Sequence, residues 1–210
     1  MSENQQETKE KIIKAAKAVF AEKGFDAASI RDITGHANVN VGAINYHFGS
    51  KEDLLKYILN EFSGLFLDAT KVLRSPKNFT EFQLRMEMLL RNMVELSMEN
   101  QDSVLIFFKE QDKIMNRFLE VIMKNFMAAR QTIVSFVTES QDRAVINKTV
   151  DPDVLTKALI FIVKGEMQEC HIMEKLNLPN VYQPGYKEMW IEQNIHLLTS
   201  PLKLENEVES

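Results

Sequence analysis

Cysteine, glycine and proline are scarce in this chain, and each scarcity excludes a class of protein. The single cysteine, Cys170, excludes an intrachain disulfide framework and favours a reducing compartment. Seven glycines and five prolines are too few for a sheet protein with many tight turns. The abundant Leu, Ile, Met, Lys, Glu and Ala residues favour long helices instead, so the sequence predicts an all-α fold.

Long apolar runs and a positive net charge are missing as well. No segment approaches the roughly 20 apolar residues of a membrane helix, and the polar N-terminal stretch MSENQQETKEKIIK is unlike a signal peptide. We therefore expect no membrane association and a cytoplasmic location. The net charge is −5, and residues 1–60 hold eight basic and eight acidic side chains. A basic surface for nucleic acid can only be local.

Apolar periodicity and turn chemistry predict three short helices before residue 50. Thr8 can cap a first helix, which runs to Lys23 and is ended by Gly24. Ser-Ile-Arg-Asp, residues 29–32, fits a capping box that opens a second helix at about residues 30–36.

A tight turn and a third helix follow. Ala37-Asn38 predicts the turn, because Asn tolerates the left-handed conformation. Residues 40–47 supply the third helix. Short helices joined by a three-to-four-residue turn are typical of a helix-turn-helix unit.

The third helix has a composition suited to a DNA major groove. We expect an inner face of Val39, Ile44 and Phe48 and an outer face of Asn40, Val41, Gly42, Ala43, Asn45 and Tyr46. Val41 and Ala43 can contact a thymine methyl group, and Asn45 has the geometry to bind adenine through two hydrogen bonds. Tyr46 and His47 can reach phosphate oxygens, and Lys51 adds a cation at the next helix start. Periodicity alone leaves open a packed helical subdomain that never meets DNA.

Residues 29–55, SIRDITGHANVNVGAINYHFGSKEDLL, carry a more specific pattern. Its elements are Ser29-x-Arg31-Asp32-Ile33, Ala37-x-Val39-Asn40-x-Gly42-x-Ile44 and His47-Phe48-x-Ser50-Lys51-Glu52-x-Leu54. With AAKAVFAEKGFDAASI at residues 15–30, this pattern resembles the DNA-binding signature of the TetR family of bacterial transcriptional regulators. The resemblance covers about the first 60 residues.

The resemblance implies a helix-turn-helix DNA-binding domain in residues 1–50 and a helical effector-binding and dimerisation domain in residues 51–200. The charged residues 201–210 are predicted from their composition to be a flexible tail. The resemblance also implies that Arg31 contacts a base or the DNA backbone. The resulting DNA-binding set is Ser29, Arg31, Asn40, Val41, Gly42, Ala43, Asn45, Tyr46, His47 and Lys51. The chain departs from the family pattern at Asn38, Val41 and Asn45, so its operator sequence cannot be borrowed from a relative.

Further helices are predicted beyond residue 50. They are residues 51–73, opened by a capping box at Ser50 and Asp53; a helix capped by Thr80 that ends near Glu99; residues 102–111; residues 113–139; residues 152–173 after a cap at Asp151; and residues 185–199. In the helix of residues 113–139 large apolar side chains recur at four-residue steps, which predicts substantial burial.

Methionine and phenylalanine concentrate in the second predicted domain. Because Met fills irregular space and tolerates repacking, they suit a pocket for an apolar or aromatic ligand. The predicted ligand-binding residues are Phe107, Phe108, Met115, Phe118, Met123, Phe126, Met127 and Phe161. For any single one of them, an ordinary Met-rich core is the favoured explanation.

The family resemblance further implies a homodimer in which the last two long helices of each subunit pair about a two-fold axis. The side chains that these helices would offer are Leu155, Leu159, Ile162, Val163, Met167, Trp190, Ile191, Ile195 and Leu198. Such a dimer would match a pseudo-palindromic DNA site.

The sequence therefore predicts a one-component transcriptional repressor that binds operator DNA as a dimer until a small effector releases it. The alternative is a TetR-like helical dimer without an effector, acting through protein partners or as an interaction module. Cys170, His171 and Glu174 are close in sequence and could ligate a metal ion. Because no second group of ligands lies at a suitable spacing, an ordinary helix surface is the favoured explanation. No phosphate-binding loop or nucleophile motif is present. We predict no cofactor and no enzymatic activity.

Overall fold

Residues 3–204 are described by the computed structural model of the chain. Their α-helices are α1 (Glu3–Lys23), α2 (Ile30–Ala37), α3 (Gly42–Phe48), α4 (Lys51–Ala69), α5 (Phe79–Glu99), α6 (Gln101–Lys109), α7 (Gln111–Lys113), α8 (Leu119–Asp142), α9 (Pro152–Lys175) and α10 (Pro184–Thr199). Short 3₁₀ turns follow α4 at Thr70–Val72 and α10 at Ser200–Leu202. No strand occurs within these residues, and the predicted all-α fold is confirmed.

Helix α1 starts earlier than predicted. Its buried face consists of Ile12, Ala15, Ala16, Val19, Phe20 and Ala21. Gly24 ends the helix, as predicted, with a φ of 77°, which glycine adopts without a steric penalty. Thr8 is not the N-cap, because its hydroxyl donates to the Asn4 carbonyl at 2.9 Å inside a helix that already begins at Glu3.

The predicted cap of α5 at Thr80 is also wrong. The helix begins at Phe79, and the Asn78 side chain accepts the Glu81 amide at 2.9 Å. The Glu81 carboxylate in turn accepts the Lys77 amide at 2.8 Å. Since Asn and Thr are both favourable capping residues, the sequence could not choose between two caps so close together.

A π-helical segment, Ile114–Phe118, joins α7 to α8. The buried residues along this run include Ile114, Phe118 and Ile122, whereas Met115, Leu119, Met123 and Met127 are exposed. The prediction that this helix is substantially buried therefore holds for one face only. Apolar residues recur every four positions on two neighbouring stripes of this helix. Other helices cover only the stripe that contains Ile114, Phe118 and Ile122.

The chain divides into two compact units. The first unit contains the chain up to Gly64 together with Asn100–Asn125. Its fully buried side chains include Ile33, Ile44 and Leu54. This unit thus combines α1, α2, α3 and most of α4 with α6, α7 and the start of α8. The predicted domain boundary between residues 50 and 51 stays a prediction.

Polar side chains from α6 and α7 hold the end of α1 within the first unit. Lys109 donates to a carbonyl in the last turn of α1, where a cation is favoured by the helix dipole. The buried Glu110 carboxylate accepts the Phe25 amide at 2.7 Å and the Lys113 ammonium at 2.7 Å. Lys113 also pairs with Asp26 at 2.8 Å. These contacts fix the segment that connects α1 to α2.

The second unit contains the remaining described residues from Leu65 onward. In its core the rings of Phe82 from α5 and Phe136 from α8 stack with centroids 5.2 Å apart and nearly parallel planes. Arg91 of α5 binds both carboxylate oxygens of Glu188 on α10, at 2.9 and 2.8 Å. Apolar stacking and a bidentate ion pair together set the packing of these helices.

The apolar residues exposed on α9 and α10 are not the ones that were predicted to form the dimer interface. The residues Leu155, Leu159, Val163, Met167, Ile191, Ile195 and Leu198 are buried inside the subunit, and Ile162 and Trp190 are half-buried. The exposed apolar residues on these helices are Val154, Phe161, Ile172, Met189 and Leu197. Two apolar stripes lie side by side on α9, and the sequence alone assigned the wrong one to the surface.

The end of the described chain packs against the second unit. Leu202 is buried, and its carbonyl accepts the Asn147 amide at 2.9 Å. The first residues of the predicted flexible tail are thus held in place, and residues 205–210 lie outside the described residues. Within residues 3–204, no helix has both the length and the apolar character needed to cross a membrane.

Candidate DNA-binding surface

Helix α2 is fixed at its start by the predicted capping box. The Ser29 hydroxyl accepts the Asp32 amide at 3.1 Å, and the Asp32 carboxylate accepts the Ser29 amide at 2.8 Å. The Lys23 ammonium, 2.8 Å from this carboxylate, and the hydrogen bonds from Ser29 hold the pKa of Asp32 well below its usual range. The ionised carboxylate therefore helps to set the direction of α2.

A left-handed residue turns the chain from α2 towards α3, as predicted. Asn38 has φ 53° and ψ 49°, a conformation that Asn tolerates better than most residues. Its amide donates to the Gly35 and Thr34 carbonyls, and the Val39 amide donates to the Thr34 carbonyl at 3.0 Å. These bonds satisfy the carbonyl end of α2, so the next helix can start within a few residues.

Asn40 organises the start of α3. Its side-chain oxygen accepts the Gly42 amide at 2.8 Å, and its backbone carbonyl accepts the Ala43 amide at 2.9 Å. These bonds satisfy amides that a helix start leaves without partners. The helix begins at Gly42, two residues after the predicted start, and Asn40 has a structural role beside its predicted contact with DNA.

The two faces of α3 differ in burial as predicted. Ile44 is fully buried, and Val39 and Phe48 are half-buried. The exposed residues are Asn40, Val41, Gly42, Asn45 and Tyr46, and Ala43 and His47 are half-buried. Because Gly42 and Ala43 carry little or no side chain, the start of the helix can approach the edges of base pairs closely.

Tyr46 is held from two sides. Its hydroxyl oxygen accepts a hydrogen bond from the Gln5 side-chain amide at 2.8 Å, although 71% of Tyr46 is exposed. The His47 ring meets the Tyr46 ring edge-on, with centroids 5.0 Å apart. Sequence reasoning missed Gln5, because the first helix was predicted to begin only at Thr8. Nothing in the polar stretch around Gln5 marks it as special.

Lys51 reaches into the first unit. Its ammonium donates to the Phe25 carbonyl at 2.8 Å and to the Ala28 carbonyl at 2.7 Å. It also lies 4.4 Å from the centre of the Phe25 ring. Since an ammonium has three N–H donors, one remains for a phosphate oxygen. Lys51 therefore supports the segment between α1 and α2, and its contact with phosphate stays a prediction.

Arg31 and Ser29 lie on the exposed side of α2. Within residues 3–204, the Arg31 guanidinium makes no hydrogen bond or ion pair. A guanidinium without an internal partner is available to an outside anion. The Ser29 hydroxyl, in contrast, both donates to and accepts from Asp32.

The predicted ligand-binding residues lie in different environments. Phe118 is buried; Phe107, Phe108 and Phe126 are half-buried; and Met115, Met123, Met127 and Phe161 are exposed. Residues up to Met123 belong to the first unit, whereas Phe126, Met127 and Phe161 belong to the second. The half-buried phenylalanines contact other rings, as Phe107 does with Phe108 at 5.5 Å. A binding role for this set stays a prediction.

Two clefts in the second unit are lined by other residues. One, of about 680 Å³, is lined by Leu73, Arg74, Ser75, Ala128, Gln131, Thr132, Ser135, Phe136 and Glu139. The other, of about 780 Å³, lies between α5 and α10 and has the Arg91–Glu188 ion pair in its wall. Neither cleft contains a predicted ligand-binding residue.

Sequence similarity to known proteins is higher in the N-terminal region than over the rest of the chain. Residues 12–58 match the family model described as bacterial regulatory proteins, tetR family. The chain is 42% identical over 55 residues to the HTH-type transcriptional repressor BdcR of Escherichia coli, a match that covers 26% of this chain and 28% of that protein. It is 24% identical over 189 residues to a Bacillus subtilis protein named Probable HTH-type transcriptional regulator YttP, covering 89% of each chain.

The fold of the whole chain is shared with solved regulators. The structure of the ketosteroid transcriptional regulator KstR2 of Mycobacterium tuberculosis is similar with a TM-score of 0.72 at 18% identity, over 94% of this chain and 95% of that one. PfmR, a TetR family transcriptional regulator from Thermus thermophilus, gives a TM-score of 0.71 at 17% identity, over 92% and 96%.

These matches agree with the geometry of α2, the Asn38 turn and α3. The relatives are regulators of transcription, which confirms the prediction that the chain is not an enzyme. Residues 12–58 thus carry the helix-turn-helix DNA-binding domain of the TetR family of bacterial transcriptional regulators, and the whole chain shares the fold of solved regulators.

Proposed function

We propose that the protein is a cytoplasmic repressor that binds a pseudo-palindromic operator as a homodimer and is released by a small effector. The exposed face of α3 supports this proposal most directly. Val41, Asn45 and Tyr46 stand exposed on this face, while Ile44 anchors the opposite face in the core. A short helix with one anchored face and small, flat outer residues fits the major groove.

Each exposed group on this surface has a distinct proposed role. Val41 and Ala43 contact thymine methyl groups, and Asn45 binds adenine through two hydrogen bonds. The proposed phosphate contacts come from Tyr46, His47 and Lys51. Arg31 contacts a base or the DNA backbone, and Ser29 and Asn40 complete the surface. Contacts to phosphate set position and affinity, whereas contacts to base edges set the preferred sequence.

The proposed dimer forms through the exposed apolar side chains of α9 and α10. Phe161 is 69% exposed and Leu197 is 68% exposed, and an exposed apolar patch is typical of a protein–protein interaction site. Pairing about a two-fold axis makes one patch serve both subunits. Two copies of α3 would then meet half-sites about 34–36 Å apart, or somewhat more.

Release by the effector is proposed as a population shift. A ligand that prefers the conformation unable to span both half-sites weakens DNA binding only by its differential affinity for the two conformations. A coupling of about 3 kcal/mol gives roughly a 150-fold loss. The proposed ligand is apolar or aromatic, since the predicted set consists of Phe and Met side chains.

A second candidate function replaces the effector with a protein partner. The exposure of Met115, Leu119, Met123 and Met127 favours it, because exposed methionines adapt to many partner surfaces. Thermal unfolding with a panel of apolar compounds separates the two candidates. Stabilisation by a compound supports the effector, and its absence throughout the panel supports a protein partner.

DNA binding is tested with duplex fragments from the region upstream of the protein's own gene. Fluorescence anisotropy at several salt concentrations gives the affinity and its salt dependence. We expect Arg31→Ala to weaken binding without lowering the thermal midpoint, because the Arg31 guanidinium has no partner within residues 3–204. Lys14→Ala removes an exposed cation from α1 instead of α2; it is the matched control and should bind as the wild type does. Equal binding by the wild type and Arg31→Ala would argue against this surface.

A further inference from the structure

A side chain in the first turn of α1 is hydrogen-bonded to a side chain of α3. The Gln5 side-chain amide nitrogen donates to the Tyr46 hydroxyl oxygen at 2.8 Å, although the two residues are 41 positions apart. Gln5 lies outside residues 12–58, the segment that matches the family model. The contact is therefore a feature of this chain rather than of the matched segment.

The Gln5 side chain points its amide nitrogen, not its oxygen, at the Tyr46 hydroxyl, and this orientation sets the direction of the hydrogen bond. An amide nitrogen only donates, whereas a phenol oxygen both accepts and donates. With Gln5 as the donor, the hydroxyl proton of Tyr46 remains available for another acceptor. Within the described residues no acceptor takes that proton, and the Tyr46 side chain is largely exposed.

The phenol ring is also restrained by its neighbour. The His47 ring meets it edge-on at 86°, with centroids 5.0 Å apart. Gln5 and His47 together limit both the position of the ring and the orientation of the hydroxyl. A side chain ordered before binding loses less conformational entropy when it meets its partner.

We propose that Gln5 is a positioning residue for DNA binding, which holds the Tyr46 hydroxyl so that its proton is presented to a phosphate oxygen. This inference rests on the proposed function. The amide polarises the hydroxyl and strengthens its donated hydrogen bond, since linked hydrogen bonds reinforce one another. Because a phosphate contact carries no sequence information, Gln5 raises affinity for all duplexes by the same factor.

A double-mutant cycle tests the inference. Gln5→Met keeps the side-chain length and removes the donor, and Tyr46→Phe removes the hydroxyl. We expect Gln5→Met to weaken binding about 3- to 10-fold, as for the loss of one hydrogen bond. In the Tyr46→Phe background the same change should have no effect. The cycle isolates the pairwise contribution, so other contacts of Gln5 cancel.

Gln6→Met is the matched control. Gln6 lies on the same helical turn, and its amide donates to Glu10 instead of Tyr46. It should bind DNA as the wild type does. Circular dichroism will show whether the first turn of α1 unfolds in the two methionine variants. A third variant, Gln5→Arg, restores a hydrogen-bond donor at position 5. The affinity of Gln5→Arg should again depend on the Tyr46 hydroxyl.

The possible outcomes separate the inference from the proposed function. If the wild type binds no upstream duplex in a salt-dependent way, the proposed function fails. If the wild type binds and Gln5→Met stays within twofold of it, or if the effects of Gln5→Met and Tyr46→Phe simply multiply, the positioning role is overturned while the proposed function stands.

Discussion

The buried carboxylate of Glu110 accepts the amide of Phe25 at 2.7 Å, across 85 residues of sequence. Phe25 follows Gly24, where α1 ends, and Glu110 stands between α6 and α7. One side chain from the middle of the sequence thereby satisfies a backbone group of the segment that leads into α2. The position of the DNA-binding helices depends on contacts far outside the helix-turn-helix sequence.

Glu110→Ala should destabilise the protein, because it leaves the Phe25 amide without a partner in a buried position. The expected loss is about 1–3 kcal/mol in the free energy of unfolding. Glu110→Gln retains an oxygen acceptor for the amide and should lose less. Urea unfolding measures both, with Glu120→Ala at an exposed position of α8 as the control. A wild-type stability for Glu110→Ala would show that this hydrogen bond contributes nothing.

Lys51→Ala should reduce stability as well as DNA affinity. The ammonium donates to two carbonyls between α1 and α2, at 2.8 and 2.7 Å, and hydrogen bonds from charged groups contribute about 1.5–3 kcal/mol each at most. We expect the thermal midpoint to fall by several degrees, since about 1 kcal/mol corresponds to roughly 2–4 °C at this chain length. Scanning calorimetry without DNA measures this directly. An unchanged midpoint with weakened DNA binding would assign Lys51 to phosphate alone.

The sequence predicted the local features of the candidate site and missed the long-range ones. The Ser29–Asp32 capping box and the left-handed Asn38 arise from side chains acting on backbone only a few residues away, so the local pattern contains the necessary information. The partners of Lys51 and Glu110 depend on how helices pack. No spacing rule connects residues that meet only after folding.

The acid side of the stability profile should depend on Asp32. The folded chain holds the pKa of this carboxyl below the value of about 3.9 expected in the unfolded chain, so the ionised form stabilises the fold. That contribution is complete above about pH 5 and is lost as the pH falls through the folded pKa. The stability difference between the wild type and Asp32→Asn should therefore shrink from pH 7 to pH 3 in urea unfolding. A stability difference that grows on acidification would contradict the predicted direction.

The contribution of Asp32 should also depend on salt. Because Asp32 is exposed to solvent, added salt should reduce the stability difference between the wild type and Asp32→Asn.

Phe161→Glu should dissociate the proposed dimer. This side chain is 69% exposed on α9, and a carboxylate forced into an apolar interface costs several kcal/mol. We expect the dimer dissociation constant to rise about 100-fold or more, measured by light scattering after size-exclusion chromatography. Leu84→Glu, at a half-exposed position on α5, is the control. Dimers that persist in Phe161→Glu at low concentration would place the interface elsewhere.

Asn45→Ala should relax the sequence preference of the repressor at one base pair in each half-site. The Asn45 side chain is exposed on α3 next to Tyr46, and a bidentate contact to adenine is worth about 1–3 kcal/mol of discrimination against a wrong base. The variant should bind the operator and a duplex changed at that one base pair with similar affinity. Changes at the other base pairs should still weaken its binding. Tyr46→Phe serves as the comparison, because loss of a phosphate contact lowers affinity for all duplexes by a similar factor. If Asn45→Ala also lowers every affinity equally, Asn45 contacts the DNA backbone and the adenine assignment is wrong.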